Sequence, residues 1–146
     1  MDDSAHGAAA PEIGFFAVGY APMDELHDEF CELLAALGSP SEADYGLPLV
    51  AMHEHLLRHC AAEESWMRDA DFPAYDCHKR EHDMLLEVVS EVRRRYDAGD
   101  TEIVERLAQE LPRWFEVHAN TMDAALAYYL KEHAEPLEPA EVTEPA

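Results

Sequence analysis

Seven residues of the types that bind metal ions lie on four stretches of sequence, each with the apolar periodicity of a helix. Two pairs, His59 with Glu63 and His78 with His82, are four residues apart, which places each pair on one helix face. Five imidazoles and two carboxylates that project from four helices toward one point would provide the ligands of two metal ions. The complete set is His27, His59, Glu63, His78, His82, His118 and Asp123.

A metal site explains this set better than an apolar core with satisfied histidines. One histidine on an apolar stripe is usually a core histidine, and one pair at i,i+4 arises by chance in helices rich in His and Glu. Here all four stripes are interrupted together, although ionisable groups are rarely buried unless they are paired or metal-bound. Without a metal, each unsatisfied group would cost about 1–3 kcal/mol. We therefore predict a metal centre.

Asp123 does not fit this scheme on an ideal α-helix. It lies five residues after His118, and that spacing separates two side chains by about 140° around the helix. Asp123 would reach the site from a flanking position, or through a local widening of the helix that turns it inward.

The composition of the set favours iron over other metals. Two octahedral ions have about twelve ligand positions, and the five imidazoles and two bridging carboxylates offer nine donor atoms. A bridging hydroxide would take two more positions and leave about one open. Zinc favours a closed tetrahedral set, and calcium and magnesium favour oxygen ligands. Because the set has fewer carboxylates than ferritin-like di-iron bundles, we expect it to bind dioxygen rather than cleave it.

Apolar periodicity and helix-ending residues predict four helices joined by short connections. The third helix has the cleanest spacing, with steps of four and three residues. The fold class is therefore all-α, an up-down-up-down antiparallel four-helix bundle with an N-terminal lead-in segment at 13–22. We expect helices from Met23 or Asp24 to Leu37, from about Leu47 to Met67, from His78 to Tyr96 and from about Thr101 to Glu132.

The fourth predicted helix contains a proline. Pro112 removes a backbone hydrogen bond and predicts a kink, or two segments that abut there. Beyond His118, the apolar stripe of this helix is expected to turn Ala125 and Tyr129 inward.

The chain divides into one domain and two tails. Residues 1–12 are small and polar and predict a flexible N-terminal tail, and residues 13–132 form the bundle. Residues 133–146 hold four glutamates and three prolines and predict an acidic, Pro-rich C-terminal tail.

The net charge and the cysteines limit the cellular compartments and the partners that are expected. The formal net charge is −22, which repels nucleic acid and anionic membranes. Three cysteines at no recognisable spacing do not form a disulfide framework and fit a reducing compartment. The apolar patch near the N-terminus lacks the basic residues of a secretory signal and is too short to span a bilayer. We expect a cytoplasmic monomer with no nucleic-acid partner and no membrane insertion.

With these residues in place, the sequence resembles the hemerythrin family, specifically its bacterial single-domain members. All seven ligand positions of the family are present at the family's spacings. The matching segments are Val18-Gly19 with residues 23–27, His59-x-x-x-Glu63-Glu64, His78-x-x-x-His82, and Trp114-x-x-x-His118-x-x-x-x-Asp123.

The resemblance implies a role for each residue. One iron ion is held by three histidines and the other by two, with two carboxylates and an oxo or hydroxo group as bridges. Dioxygen is the ligand, bound at the ion with two histidines, and three aromatic residues line its pocket, although core packing alone would also explain them. The assignments are His78, His82 and His118 for one ion, His27 and His59 for the other, Glu63 and Asp123 as bridges, and Phe30, Trp114 and Phe115 for the pocket.

The first functional hypothesis is a reversible dioxygen-binding protein, an oxygen carrier or store without enzymatic turnover. The alternatives are an oxygen or redox sensor that signals through a partner, and a peroxide- or nitric oxide-scavenging di-iron enzyme. A sensor would be expected to carry a signalling module, which the sequence does not show. An enzyme would need a proton donor in the pocket, and Phe30, Trp114 and Phe115 offer none. A helical adaptor without metal would leave the buried histidines unexplained.

Several residues near the motifs receive no role in the site. Cys60 follows a predicted ligand where relatives often have an aromatic residue, and we favour a packed small side chain over a redox group. His6, His53, His55 and His133 lie outside the pattern and are assigned no metal.

Overall fold

The computed structural model describes residues 16–39 and 44–133 of the chain. Within that part, all regular structure is helical. The predicted tail at 1–12, the predicted tail at 133–146 apart from His133, and the first residues of the lead-in lie outside the described residues. The helices are α1 (Ala21–Gly38), α2 (Gly46–Asp69), α3 (Tyr75–Asp97), α4 (Glu102–His118) and α5 (Ala124–His133), with a π-helical turn at Ala119–Asp123 between the last two.

The helices form the predicted four-helix bundle. Helix α1 packs against α2 and α4, α2 packs against α3, and α3 packs against α4. The π-helical turn and α5 continue α4 directly, so the three together take the place of the fourth helix. No helix in the described part of the chain is both long and apolar enough to cross a lipid bilayer.

The lead-in segment is tied to the start of α1. The Asp24 carboxylate accepts hydrogen bonds from the backbone N–H groups of Val18 and Gly19, at 2.7 and 3.1 Å. Gly19 has a φ of +84°, a conformation that glycine adopts without a steric penalty. These bonds bring Phe16, which is 2% exposed, into the core, where its ring meets Phe115 edge-on at 4.8 Å.

Two apolar clusters make up the core, and on α1 and α2 the predicted metal ligands lie between them. On α1, His27 falls between Met23 of the smaller cluster and Phe30 of the larger one. On α2, Glu63 falls between Leu56 of the larger cluster and Met67 of the smaller one. The apolar clusters therefore fix the level at which the polar side chains meet.

Two segments that abut at Pro112, one of the two outcomes predicted there, are not observed. Helix α4 is continuous through Pro112, and the change of helical type comes after His118, at Ala119–Asp123. A proline removes only one backbone hydrogen bond, whereas a π-helical turn adds a residue to the helix. The sequence alone does not show where that extra residue is inserted.

The extra residue changes which face of α5 is buried. An uninterrupted α-helix would turn Ala125 inward, but Ala125 is exposed and Tyr129 is half-buried. Leu126 and Leu130 are buried instead, at 0% and 3% exposed. The inward face is thus displaced by one residue beyond the π-helical turn, as insertion of one residue requires.

This displacement can be tested by truncating one side chain on each face of α5. Leu126→Ala should lower the free energy of unfolding by about 2–5 kcal/mol, because it leaves a cavity in the smaller cluster. Tyr128→Ala is the control, since Tyr128 is 66% exposed and its loss should cost less than about 0.5 kcal/mol. Urea denaturation measures both values. Equal effects, or a larger effect at Tyr128, would show that the inward face is wrongly assigned.

Candidate metal centre

The seven predicted ligands come together in one buried cluster. Each is at most 3% exposed, and together they come from α1, α2, α3, α4 and the π-helical turn. Their donor atoms form two groups, and within each group all atoms lie within 4.8 Å of one another. The first group is Glu63, His78, His82 and His118, and the second is His27, His59, Glu63 and Asp123.

Glu63 belongs to both groups because its two carboxylate oxygens face opposite ways. Oε1 lies 3.1 Å from His82 Nε2 and 3.3 Å from His78 Nε2. Oε2 lies 3.0 Å from His59 Nε2. This is the arrangement that a carboxylate needs in order to bridge two ions.

Asp123 joins the same two sets of histidines from the other side. Oδ1 lies 3.1 Å from His118 Nε2 and 3.2 Å from His78 Nε2, and Oδ2 lies 3.0 Å from His27 Nε2. The π-helical turn at Ala119–Asp123 makes this possible, because its wider turn brings residues five apart onto one face. Of the two routes predicted for Asp123, the structure contains the local widening of the helix.

Carboxylates orient two histidines of the first group. His82 Nδ1 is 2.9 Å from Glu64 Oε2, and His118 Nδ1 is 2.9 Å from Glu81 Oε1. Metal-binding histidines usually donate their outer N–H to such a partner, which fixes the ring orientation and the tautomer. From the sequence, Glu64 was named only as part of a motif and Glu81 was not named, and neither was given a role, although each lies next to a predicted ligand.

The histidines of the second group have uncharged partners. His27 Nδ1 donates to the Phe16 carbonyl at 2.8 Å, which gives the lead-in segment a direct role at the site. His59 Nδ1 pairs with His55 Nε2 at 3.0 Å. Burial, reinforced by His59, lowers the pKa of His55 to about 4, so His55 is neutral at physiological pH. Sequence reasoning left His55 without a role, although its i,i+4 spacing from His59 was a signal.

Two potential metal-binding atoms at the centre of the cluster lack a hydrogen-bond partner among the described residues. His78 Nε2 and Asp123 Oδ1 are buried, and neither makes a well-aligned hydrogen bond with any described residue. Such a group costs about 1–3 kcal/mol, and a cation between the two groups would satisfy both atoms. The residues therefore fit a bound metal.

The charges of the cluster without metal are set by contacts between histidines and carboxylates. Burial lowers the pKa of His78, but the carboxylates of Asp123 and Glu63 outweigh it and raise the pKa to about 9. In the same way Asp123 outweighs burial at His27 and His118 and raises the pKa of both.

The pKa values of the two carboxylates, Glu63 and Asp123, are shifted in the opposite direction, downward. Burial raises the pKa of Glu63, but the surrounding histidines outweigh it and hold that pKa well below its ordinary value. Burial and the charge of Glu63 raise the pKa of Asp123, and its histidine neighbours again lower it overall. Both carboxylates are therefore ionised at neutral pH. Because bound metal needs neutral imidazoles, metal binding must release protons from the cluster.

A small cavity adjoins the histidines. About 10 Å³ of it admits the centre of a water-sized molecule, which is close to the minimum for holding one such molecule. Trp114 and Phe115 line it, as predicted for the pocket. Phe30 is not among its lining residues, since its ring lies behind Phe115 at 4.2 Å. The full lining is Leu56, His59, Cys60, His82, Leu85, Trp114, Phe115 and His118.

Cys60 contributes a thiol to this lining rather than a thiolate. It is 4% exposed, and burial, together with the charge of Glu63, raises its pKa well above the ordinary range. A protonated, enclosed thiol is a poor nucleophile and redox group. These surroundings support the interpretation of Cys60 as a packed small side chain.

The pKa shifts predict an unusual pH dependence for the metal-free protein. Raised histidine pKa values stabilise the fold fully below pH 6.5, and that contribution is lost as the pH rises to about 9. At about 1.4 kcal/mol per pKa unit, the full contribution of His78 is on the order of 3 kcal/mol, and most of it is lost by pH 9. The carboxylates do not titrate in this range, because their pKa values are lowered.

Urea denaturation at several pH values, with and without metal, measures this effect. The free energy of unfolding of the metal-free protein should fall between pH 6.5 and 9, whereas the metal-loaded protein should not lose stability, because its ligands are already deprotonated. A metal-free protein that is as stable at pH 9 as at pH 6.5 would contradict these assignments.

Comparison with known proteins identifies the family. A family model described as "Hemerythrin HHE cation binding domain" matches residues 18–130. A bacteriohemerythrin of Ralstonia nicotianae is 43% identical over 113 residues, covering 77% of this chain and 82% of that protein. One of Stenotrophomonas maltophilia is 31% identical over 120 residues, covering 80% and 78%.

Solved structures give the same fold. A crystal structure of a hemerythrin point mutant matches with a TM-score of 0.72 at 20% identity, covering 77% of this chain and 89% of that one. The predicted resemblance and the predicted four-helix bundle are both confirmed. Since the family model spans residues 18–130 and the bacterial relatives are matched over most of their length, the chain belongs to the hemerythrin family.

Proposed function

We propose that this protein binds dioxygen reversibly, as an oxygen carrier or store, at a pair of iron ions joined by an oxo or hydroxo bridge. The observation that carries the proposal is the pair of buried ligand groups that share Glu63, beside a small and largely apolar cavity. Membership of the hemerythrin family supports the same conclusion.

The ligand groups support a division of the histidines between two ions. Both carboxylates direct one oxygen to each set of histidines, so either can bridge. The ion with two histidines has one protein ligand fewer than the other, which leaves a position for an external ligand. In this assignment His78, His82 and His118 hold one ion, His27 and His59 hold the other, and Glu63 and Asp123 bridge them.

The donor set suits two iron ions. Nine nitrogen and oxygen donors, with a bridging oxygen that binds both ions, leave about one of twelve octahedral positions open. Two ferrous ions bound there would supply the electrons on which dioxygen binding depends. The outer hydrogen bonds of His27, His59, His82 and His118 hold the rings with Nε2 toward the ions.

The cavity favours binding over turnover. It touches His59 of the two-histidine group and His82 and His118 of the other group, and it is only large enough for a very small molecule. Besides the histidines, its walls are Leu56, Leu85, Trp114, Phe115 and the protonated thiol of Cys60. None of these releases a proton readily at neutral pH, so the lining offers no general acid for a reaction of the bound ligand.

The water-excluding wall also protects the bound state. Phe115 is 2% exposed and its ring meets His27 edge-on at 5.1 Å. Trp114 stacks on His118 with ring centroids 4.7 Å apart. The two aromatic rings thus separate histidines of both groups from solvent. Exclusion of water and protons slows side reactions at such a site.

Reversibility is the property that separates the proposed function from the alternatives. The anaerobically reduced, iron-loaded protein should develop visible absorption in air and lose it again when oxygen is removed, over repeated cycles. Visible spectroscopy with an iron count measures this. Irreversible oxidation on first exposure would favour a sensor or a scavenging enzyme over a carrier, and steady consumption of peroxide or nitric oxide would favour the enzyme.

Opening the cavity wall should destabilise the oxygenated form. Phe115→Ala gives water access to the site and should shorten the lifetime of that form several-fold, with a smaller effect for Phe115→Leu. Phe72→Ala is the control, because Phe72 packs against Tyr129 in the smaller cluster, away from the cavity. Decay of the visible absorption gives the lifetime. The same lifetime in all four proteins would rule out a protective role for the cavity wall.

A further inference from the structure

His55 is a completely buried polar side chain that the ligand set does not use. It is 0% exposed and lies one turn before His59 on α2. Its ring meets the ring of His59 edge-on at 5.0 Å and lies 6.2 Å from the ring of Phe30. An apolar side chain would fill this space without the cost of burying an imidazole, so packing alone does not account for a histidine here.

The position of His55 completes a line of polar groups from the site to the protein surface. His59 Nε2 faces Glu63, and His59 Nδ1 pairs with His55 Nε2 at 3.0 Å. His55 Nδ1 in turn lies 3.3 Å from Glu29 Oε2. Glu29 is on α1, its side chain is 40% exposed, and it also contacts Arg58 at 3.0 Å.

Hydrogen-bond chemistry fixes the role of each nitrogen in this line. When His59 Nε2 binds a metal, the single hydrogen of its neutral ring is on Nδ1. That N–H can only donate, so His55 Nε2 must accept. His55 then carries its own hydrogen on Nδ1, where the Glu29 carboxylate, which only accepts, is the nearest acidic group. Each atom of the line therefore faces an atom of the opposite kind, and the contact of His55 Nδ1 with Glu29 Oε2 at 3.3 Å is close without being a well-aligned hydrogen bond.

We propose that His55 is a positioning residue for the metal centre: His55 holds His59 in the tautomer and orientation that direct Nε2 to the metal. Glu29 supports His55 from the surface of α1. The proposal rests on the metal assignment of the proposed function but not on dioxygen binding. His59 would otherwise have an unpaired, buried N–H, and its ring would be free to turn. The other paired histidine ligands have a carboxylate or a backbone carbonyl as their partner, so this histidine pair is specific to the second group.

The test compares variants that remove or keep the hydrogen-bonding atoms at position 55. His55→Leu removes both nitrogens, whereas His55→Gln keeps an acceptor for His59 and a donor for Glu29. His53→Leu is the matched control, because His53 is on the same helix but pairs with Arg93. Anaerobic titration with Fe²⁺ against a competing chelator gives the affinity for each of the two ions. Urea denaturation of each metal-free variant monitors folding.

His55→Leu should weaken the binding of one ion by about 10–100-fold and leave the other ion within a few-fold, as loss of a partner of a ligand does elsewhere. His55→Gln should restore most of the affinity, and His53→Leu should have no effect. Unchanged Fe²⁺ affinity in His55→Leu would overturn the proposal. Equal losses of affinity in the Leu and Gln variants would also overturn it, because they would show that His55 acts only through packing. A wild-type protein that binds fewer than two ions would instead overturn the proposed function.

A surface substitution keeps the test decisive if His55→Leu does not fold. Glu29→Gln changes only the exposed end of the line and should weaken the same ion by less than 10-fold. Glu32→Gln, on an exposed position of α1, should leave both affinities unchanged. Equal affinities in these two variants would then overturn the proposal.

Discussion

The structure depends on keeping two carboxylates ionised in the interior of the bundle. Glu63 and Asp123 are both 0% exposed, and an isolated buried carboxylate is so costly that it would normally be neutralised. Five imidazoles surround the pair, and each carboxylate contacts histidines of both ligand groups. Histidine protons supply the opposing charge when no metal is bound, and two cations would supply it otherwise. The buried charge therefore makes folding and metal binding parts of one equilibrium.

Much of the remaining structure positions these groups. The π-helical turn at Ala119–Asp123 adds one residue, which directs Asp123 inward and moves the buried face of α5 to Leu126 and Leu130. The lead-in segment places the Phe16 carbonyl on His27, and apolar clusters above and below hold the ligands at one level. The same packing forms the cavity lined by Trp114 and Phe115, where a small ligand would bind. The π-helical turn, the lead-in segment and the apolar clusters therefore both stabilise the fold and position the metal ligands.

The sequence was sufficient for the helices and for the ligand groups because both follow from periodicity. His59 with Glu63 and His78 with His82 share a helix face by spacing alone, and His27 lies on the same kind of apolar stripe. Asp123 was placed mainly through the family resemblance, because an α-helical period does not show which of its two predicted routes to the site is used. The same limit explains the wrong assignment of Ala125 as an inward-facing residue. The pairing of Glu81 with His118 depends on the distance between two helices, which no spacing rule contains. Spacing does place His55 on the same face as His59, but it does not show how the two rings are oriented.

The central claim is that one buried cluster holds two metal ions bridged by Glu63 and Asp123. X-ray absorption spectroscopy of the iron-loaded protein tests it most directly, combined with iron analysis and with Glu63→Gln as the comparison. We expect two iron ions per chain, a metal–metal distance of about 3–4 Å, and loss of the metal–metal signal in Glu63→Gln. One ion per chain, or two ions with no metal–metal signal in the unmodified protein, would contradict it.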